Sequence, residues 1–136
     1  MTAQLLSDGL EVGIVTRNME AMRHFYGEVL GLQYSEWLEF PGGGMHRYRI
    51  GDSIVKLVSL DPPPAGTNPP GGGSAATGLR YVSLAVGNLA EVVAAVRQAG
   101  CEVPVEITPF GEGLAWAFVC DPDGNWVEMF GPAEPA

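Results

Sequence analysis

The sequence predicts an α+β fold built from two βαβββ modules that pack against each other. Three observations predict it. The chain repeats itself, each repeat carries one helical period followed by strand patterning, and a proline- and glycine-rich break separates the copies. That break is Asp61 to Gly78, where five of 18 residues are proline and five are glycine. Such a composition sustains neither a helix nor a strand ladder, so it is a linker. Module one is expected over residues 9–60 and module two over 79–131, within a single domain spanning 1–136.

The repeat is legible residue by residue. Val12-Gly13-Ile14-Val15-Thr16-Arg17-Asn18-Met19 aligns with Val82-Ser83-Leu84-Ala85-Val86-Gly87-Asn88-Leu89 at an offset of 70. Each copy opens with a short apolar strand and a polar turn whose asparagine stands at a helix N-cap position. In the first copy Met19, Met22, Phe25, Tyr26, Val29 and Leu30 recur at helical spacing, and Gly31 ends the run. In the second, Leu89, Val92, Val93 and Val96 do the same, and Gly100 ends it. Strand patterning follows over Leu32 to Phe40, Met45 to Ile50 and Ser53 to Leu60. The second set is Glu102 to Thr108, Leu114 to Cys120 and Trp126 to Phe130. Asp121-Pro122-Asp123-Gly124-Asn125 is a turn, and Gly42 to Gly44 are expected to form a flexible hairpin tip. A unit that cannot bury its own sheet face alone pairs with its copy.

Composition excludes several functions. Sixteen acids against seven bases give a net charge of -9, with no basic cluster to answer a nucleic-acid backbone or an anionic membrane. No apolar run approaches the ~20 residues of a membrane helix. Met1 to Gly9 shows no basic segment leading into an apolar one, so a cytoplasmic location is expected. Cys101 and Cys120 have neither metal nor redox spacing and are read as reduced thiols.

Phe25-Tyr26-Gly27-Glu28-Val29-Leu30-Gly31-Leu32 and Phe118-Val119-Cys120-Asp121-Pro122-Asp123-Gly124-Asn125-Trp126-Val127-Glu128, together with Val12-Gly13-Ile14-Val15, resemble the vicinal-oxygen-chelate superfamily. That group contains glyoxalase I, extradiol dioxygenases, methylmalonyl-CoA epimerase and the fosfomycin and bleomycin resistance proteins. The resemblance implies a curved, barrel-like mixed sheet around a cavity, with the helices outside. It also implies a homodimer. It maps the four usual metal-ligand positions onto Glu11, Lys56, Tyr81 and Glu128. The repeat agrees, because Glu11 and Tyr81 differ by 70 positions and Lys56 and Glu128 by 72.

The mapped set departs from the family pattern of histidine, glutamate and glutamine. Glu128 is an ordinary ligand and Glu11 an acceptable one, but the Tyr81 hydroxyl titrates near ~10. An ammonium has no lone pair to offer a cation. Lys56 is the only lysine in the chain, and strand alternation groups it with Ile54, Val58 and Leu60. The family map favours a cavity-facing Lys56 over an edge-exposed one. The expectation is that Lys56 stands in for the metal, neutralising Glu11 and Glu128, with the Tyr81 hydroxyl as a neutral partner. No cofactor is then expected. The alternative is a divalent metal (Zn, Ni, Mn or Fe) held by Glu11 and Glu128. Dioxygenase chemistry, which wants two histidines and a carboxylate, has no support, since His24 and His46 fall outside the mapped positions.

If Glu128 faces the cavity, alternation brings Trp126 and Phe130 with it, and Trp116 and Phe118 share one face of the neighbouring strand. Trp126, Phe130 and Trp116 are candidate ligand contacts, with Trp126 balanced between pocket and core, and Phe118 assigned to core. On the strand from Met45, either His46 and Tyr48 or Arg47 and Arg49 face the cavity. Inward arginines would suit a carboxylate or phosphate. His24 is a surface residue.

Two functions follow from the resemblance. One is binding of a small organic molecule, aromatic or cationic, without metal. The other is a glyoxalase- or epimerase-type lyase or isomerase, in which Glu128 or Glu11 moves a proton next to a carbonyl while Lys56 and Tyr81 stabilise the enolate.

Overall fold

The computed structural model describes residues 2–133, so the ends of the 1–136 domain lie outside the described residues. The elements run β1 (Glu11–Val15), α1 (Met19–Arg23), β2 (Gln33–Phe40), β3 (Gly43–Ile50), β4 (Ser53–Leu60), β5 (Tyr81–Ala85), α2 (Leu89–Gln98), β6 (Val105–Phe110), β7 (Leu114–Cys120) and β8 (Trp126–Pro132). The protein is α+β, with two βαβββ modules. They are compact units, Met1–Ala65 and Gly66–Ala136, and the division falls inside the proline- and glycine-rich segment.

Each module is one open four-stranded mixed sheet, in the order β1-β4-β3-β2 and β5-β8-β7-β6. In each, the first strand pairs parallel with the last, Gly13 opposite Lys56 and Ser83 opposite Glu128. The repeat seen in the sequence is therefore a repeat of register. One sheet face packs on the module's helix and forms the core. In module one that core is Met22, Phe25, Tyr26, Tyr48, Val55 and Leu57; in module two it includes Val93, Val96, Ala117, Val119, Val127 and Met129. The other face carries Glu11 and Lys56 in one module, Tyr81 and Glu128 in the other.

Several expectations change in detail. The first helix is α-helical only to Arg23 and continues as a wider π-turn over His24–Val29, with Leu30 N–H donating to Phe25 O at 2.9 Å. Gly27, a poor helix former, lies in this turn, where an added Cβ would stand 3.0 Å from the Tyr48 ring. Asn18 and Asn88 occupy the N-cap positions without a capping side-chain bond. Gly43 and Gly44 are not a hairpin tip: they pair with Leu60 and Ser59. A Cβ on Gly43 would come within 2.1 Å of Ser59 O, so only glycine allows that approach. β6 begins at Val105 because Pro104 has no N–H to give a ladder, and Pro109 is tolerated because β6 is an edge strand.

The 61–78 segment is held at several points rather than hanging free. Arg17 Nη1 donates to Pro64 O at 2.7 Å. Arg80 donates to Gly72 O at 2.8 Å, to Pro69 O at 2.6 Å and to Asn68 Oδ1 at 3.1 Å. A short 3₁₀ turn, Gly72–Ser74, lies on the Trp126 indole. In the 121–125 turn the Asp121 carboxylate accepts the N–H groups of Asp123 and Asn125 at 3.0 and 2.9 Å. No helix among the described residues is long and apolar enough to cross a membrane.

Candidate functional site

In module one the register lines up Gly13, Lys56, Arg47 and Glu36 across four strands. The last pairing needs a bulge at Ser35, which sets Glu36 opposite Arg47. Gly13 has no side chain to obstruct the lysine stem; a Cβ there would stand 3.7 Å from Lys56 Cε. Lys56 reaches Glu11, its Nζ 3.3 Å from Oε1. Arg47 reaches the same carboxylate with two nitrogens, Nη1 at 2.9 Å from Oε1 and Nη2 at 3.4 Å from Oε2. Its Nε lies 3.4 Å from Glu36 Oε1, an ion pair without hydrogen-bond geometry. The Arg47 hydrogen bond is the main reason the Glu11 carboxyl is held below the usual carboxylate range, with Lys56 adding to it. Lys56 is neither freely solvated nor sealed, its side chain 29% exposed.

Two cations on one carboxylate leave little there for a divalent ion. Glu11 is already neutralised, and a metal would have to approach an ammonium and a guanidinium. Among the described residues no group of three or more His, Cys, Asp or Glu side chains could hold a metal ion.

Module two answers the same row with Ser83, Glu128, Phe118 and Val105. Glu128 is the counterpart of Lys56, and Phe118 of Arg47. The Ser83 hydroxyl donates to Glu128 Oε1 at 2.7 Å. Around this carboxylate Tyr81, Phe110, Trp116, Phe118 and Phe130 line a pocket of about 570 Å³. Trp126 adjoins the pocket without lining it. Its ring lies 5.1 Å from that of Phe118 and is covered by Gly72, where a Cβ would come within 2.3 Å.

The alternation left open on β3 is thus decided. Arg47 shares the face of Lys56, and Arg49 on that face is exposed. His46 and Tyr48 lie on the opposite, helix-packed face. His46 Nδ1 is 2.9 Å from the Tyr34 hydroxyl, and its ring is 4.6 Å from that of Trp37. Burial, with a smaller contribution from Arg23, pushes the His46 imidazole below its ordinary value. It borders a groove of about 710 Å³ on the helix side, not the pocket around Glu128. His24 is exposed and paired with Glu28 at 2.8 Å. Phe118 belongs to the pocket wall rather than to the core.

Ser83, Glu36 and Phe110 belong to these two faces as well, and the sequence pattern does not single them out. Ser83 was findable from the repeat, as the residue facing Glu128 through the parallel register. Glu36 was not, because only the bulge brings it to Arg47. Phe110 lines the pocket because β6 runs past Thr108.

A family profile for the Glyoxalase/Bleomycin resistance protein/Dioxygenase superfamily matches residues 10–129. The chain belongs to this superfamily. Its similarity to the uncharacterized protein YwkD of Bacillus subtilis is 28% identity over 131 residues, 93% of this chain and 98% of that protein. Among solved structures, a glyoxalase family protein from Bacillus cereus superposes with a TM-score of 0.83 at 17% identity, covering 97% of both chains. TnmS3, an antibiotic-binding protein from Streptomyces, superposes at 0.67 with 18% identity, covering 96% of this chain and 100% of that one. The trypanothione-dependent glyoxalase I of Leishmania major superposes at 0.66 with 18% identity, covering 89% and 84%. At such identities these structures share the fold with this chain.

Proposed function

We propose that this superfamily member binds a small organic molecule in the module-two pocket and works without a metal. One observation carries the reading: of the four positions that the resemblance maps to metal ligands, Lys56 is an ammonium ion-paired to Glu11, another of the four. A tethered cation, reinforced by Arg47, takes up the charge that a divalent ion would otherwise neutralise. The pocket volume falls in the range of drug-sized ligand sites, and five aromatic rings offer the apolar contact area such ligands need. That a protein of this fold, TnmS3, binds an antibiotic supports the same reading.

The test is elemental analysis of protein purified without chelators, paired with native mass spectrometry of the same sample. Substoichiometric transition metal and an organic adduct, or an empty chain that takes up organic ligands, are expected. One tightly bound zinc, nickel, manganese or iron per chain would end the reading.

A second reading is proton transfer next to a carbonyl. Glu128 is its base, since Ser83 alone engages its carboxylate among the described residues. Glu11 is a poor base because two cations hold it ionised. Wash-in of deuterium at carbon in α-hydroxy or α-acyl carbonyl compounds, lost in Glu128→Gln, would establish this reading over simple binding.

A further inference from the structure

Resting on the binding reading above, we propose that the module-two pocket selects an organic cation: a tertiary or quaternary ammonium carrying at least one apolar group. The pocket wall combines two features that a neutral aromatic ligand does not need together. The first is its ring content. Two neighbours of Phe118 stand nearly perpendicular to it, Tyr81 at 88° with centroids 5.0 Å apart and Trp116 at 83° with centroids 5.7 Å apart. Rings set at right angles form the corner of a cage, with faces turned in different directions. Aromatic faces carry negative quadrupole potential and attract a cation held within about 6 Å of the ring centre.

The second is the charge balance. Glu128 sits in the same wall, and no lysine, arginine or histidine lines this pocket. Its one described hydrogen bond comes from Ser83. An ionised carboxylate has about four acceptor sites, so most of this one's capacity stays open. The contrast with module one is direct: Glu11 carries two cations, whereas Glu128, on the equivalent face, carries none among the described residues. A carboxylate edged by rings and left without a counter-ion is completed by a cation brought by the ligand. The ring wall decides which kind. A small inorganic ion is bound by hydration that aromatic faces do not replace, whereas an alkylammonium has an apolar, weakly hydrated shell that they cover. A net charge of -9 draws such ligands toward the protein from solution.

The experiment compares three probes of one shape class on the full chain by titration calorimetry: benzyltrimethylammonium, its uncharged carbon isostere neopentylbenzene, and the anion phenylacetate. The cation is expected to bind roughly tenfold tighter or more than the neutral isostere, and the anion not at all. Glu128→Gln should weaken the cation roughly tenfold and leave the neutral probe unchanged. Equal affinity for cation and isostere would overturn the charge selection while leaving the binding reading in place. An undiminished cation preference in Glu128→Gln would overturn it as well. No binding of either probe up to millimolar concentration would overturn both readings. The comparison on the unaltered chain stands whether or not the variant folds.

Discussion

Replacing Gly72 by alanine asks whether the proline- and glycine-rich segment is a spacer or part of module two's structure. Gly72 is buried, and an added Cβ would lie 2.3 Å from Trp126 Cδ2 and 2.4 Å from Cε3. Its φ of +62° also falls in the left-handed region. An L-residue there costs about 1–2 kcal/mol. Overpacking against a ring that cannot retreat adds about 1–3 kcal/mol. Retreat is limited because the Phe118 ring lies 5.1 Å from that of Trp126. The sum is about 2–5 kcal/mol, which for a chain of this size lowers Tm by roughly 6–20 °C. If the turn lifts off instead, the stability loss is smaller, but Trp126 is uncovered and its emission shifts to longer wavelength. Gly73→Ala is the control, since an added Cβ there meets nothing within 4 Å in the same turn. Thermal melts and emission spectra of the two variants decide the matter. If Gly72→Ala matches Gly73→Ala in both, the segment does not cover Trp126 and the packing argument fails.

Two further outcomes follow from the electrostatics. The Glu11 carboxyl is held below its ordinary value chiefly by Arg47, then by Lys56, so their contribution to stability is complete above the unfolded carboxyl's pKa and is lost as pH falls through the lower folded value. Glu11→Gln should therefore cost no more than a few degrees of Tm at neutral pH, the carboxylate being nearly half exposed, and the cost should vanish in acid; an equal cost at every pH would refute the charge assignment. The Cys120 thiol is pushed up to about 11, by burial first and then by Glu102 and Asp121. At pH 8 about one molecule in a thousand carries the thiolate, so native Cys120 should resist a thiol reagent that labels it promptly in urea; equal rates in both would show the strand end to be open.

Periodicity and punctuation made the modules legible. The Asp121–Asn125 turn and the stop at Gly31 are local features, set by backbone and side-chain preferences within a few residues, and they stand where the sequence puts them, while the six strands expected from alternation all form, some with shifted ends. Ser53–Leu60 and Leu114–Cys120 match their expected bounds. The counterpart relation of Lys56 and Glu128 was legible too, because a sequence offset within a repeat becomes a strand register. What the sequence left open depended on which surface a strand turns to its helix and on what reaches across the sheet. His46 and Arg47 are adjacent and equally polar, and only burial of Tyr48 and Leu57 under the first helix decides that Arg47 joins Lys56. Glu36 meets Arg47 through a bulge that no alternation rule contains. Phe118 looked like core by composition, yet the core face of β7 is taken by Ala115, Ala117 and Val119, so its ring lines the pocket instead. Chain-local preferences are written in consecutive residues; the facing of a sheet and the partners across it are settled by long-range packing, which balances burial over every strand at once.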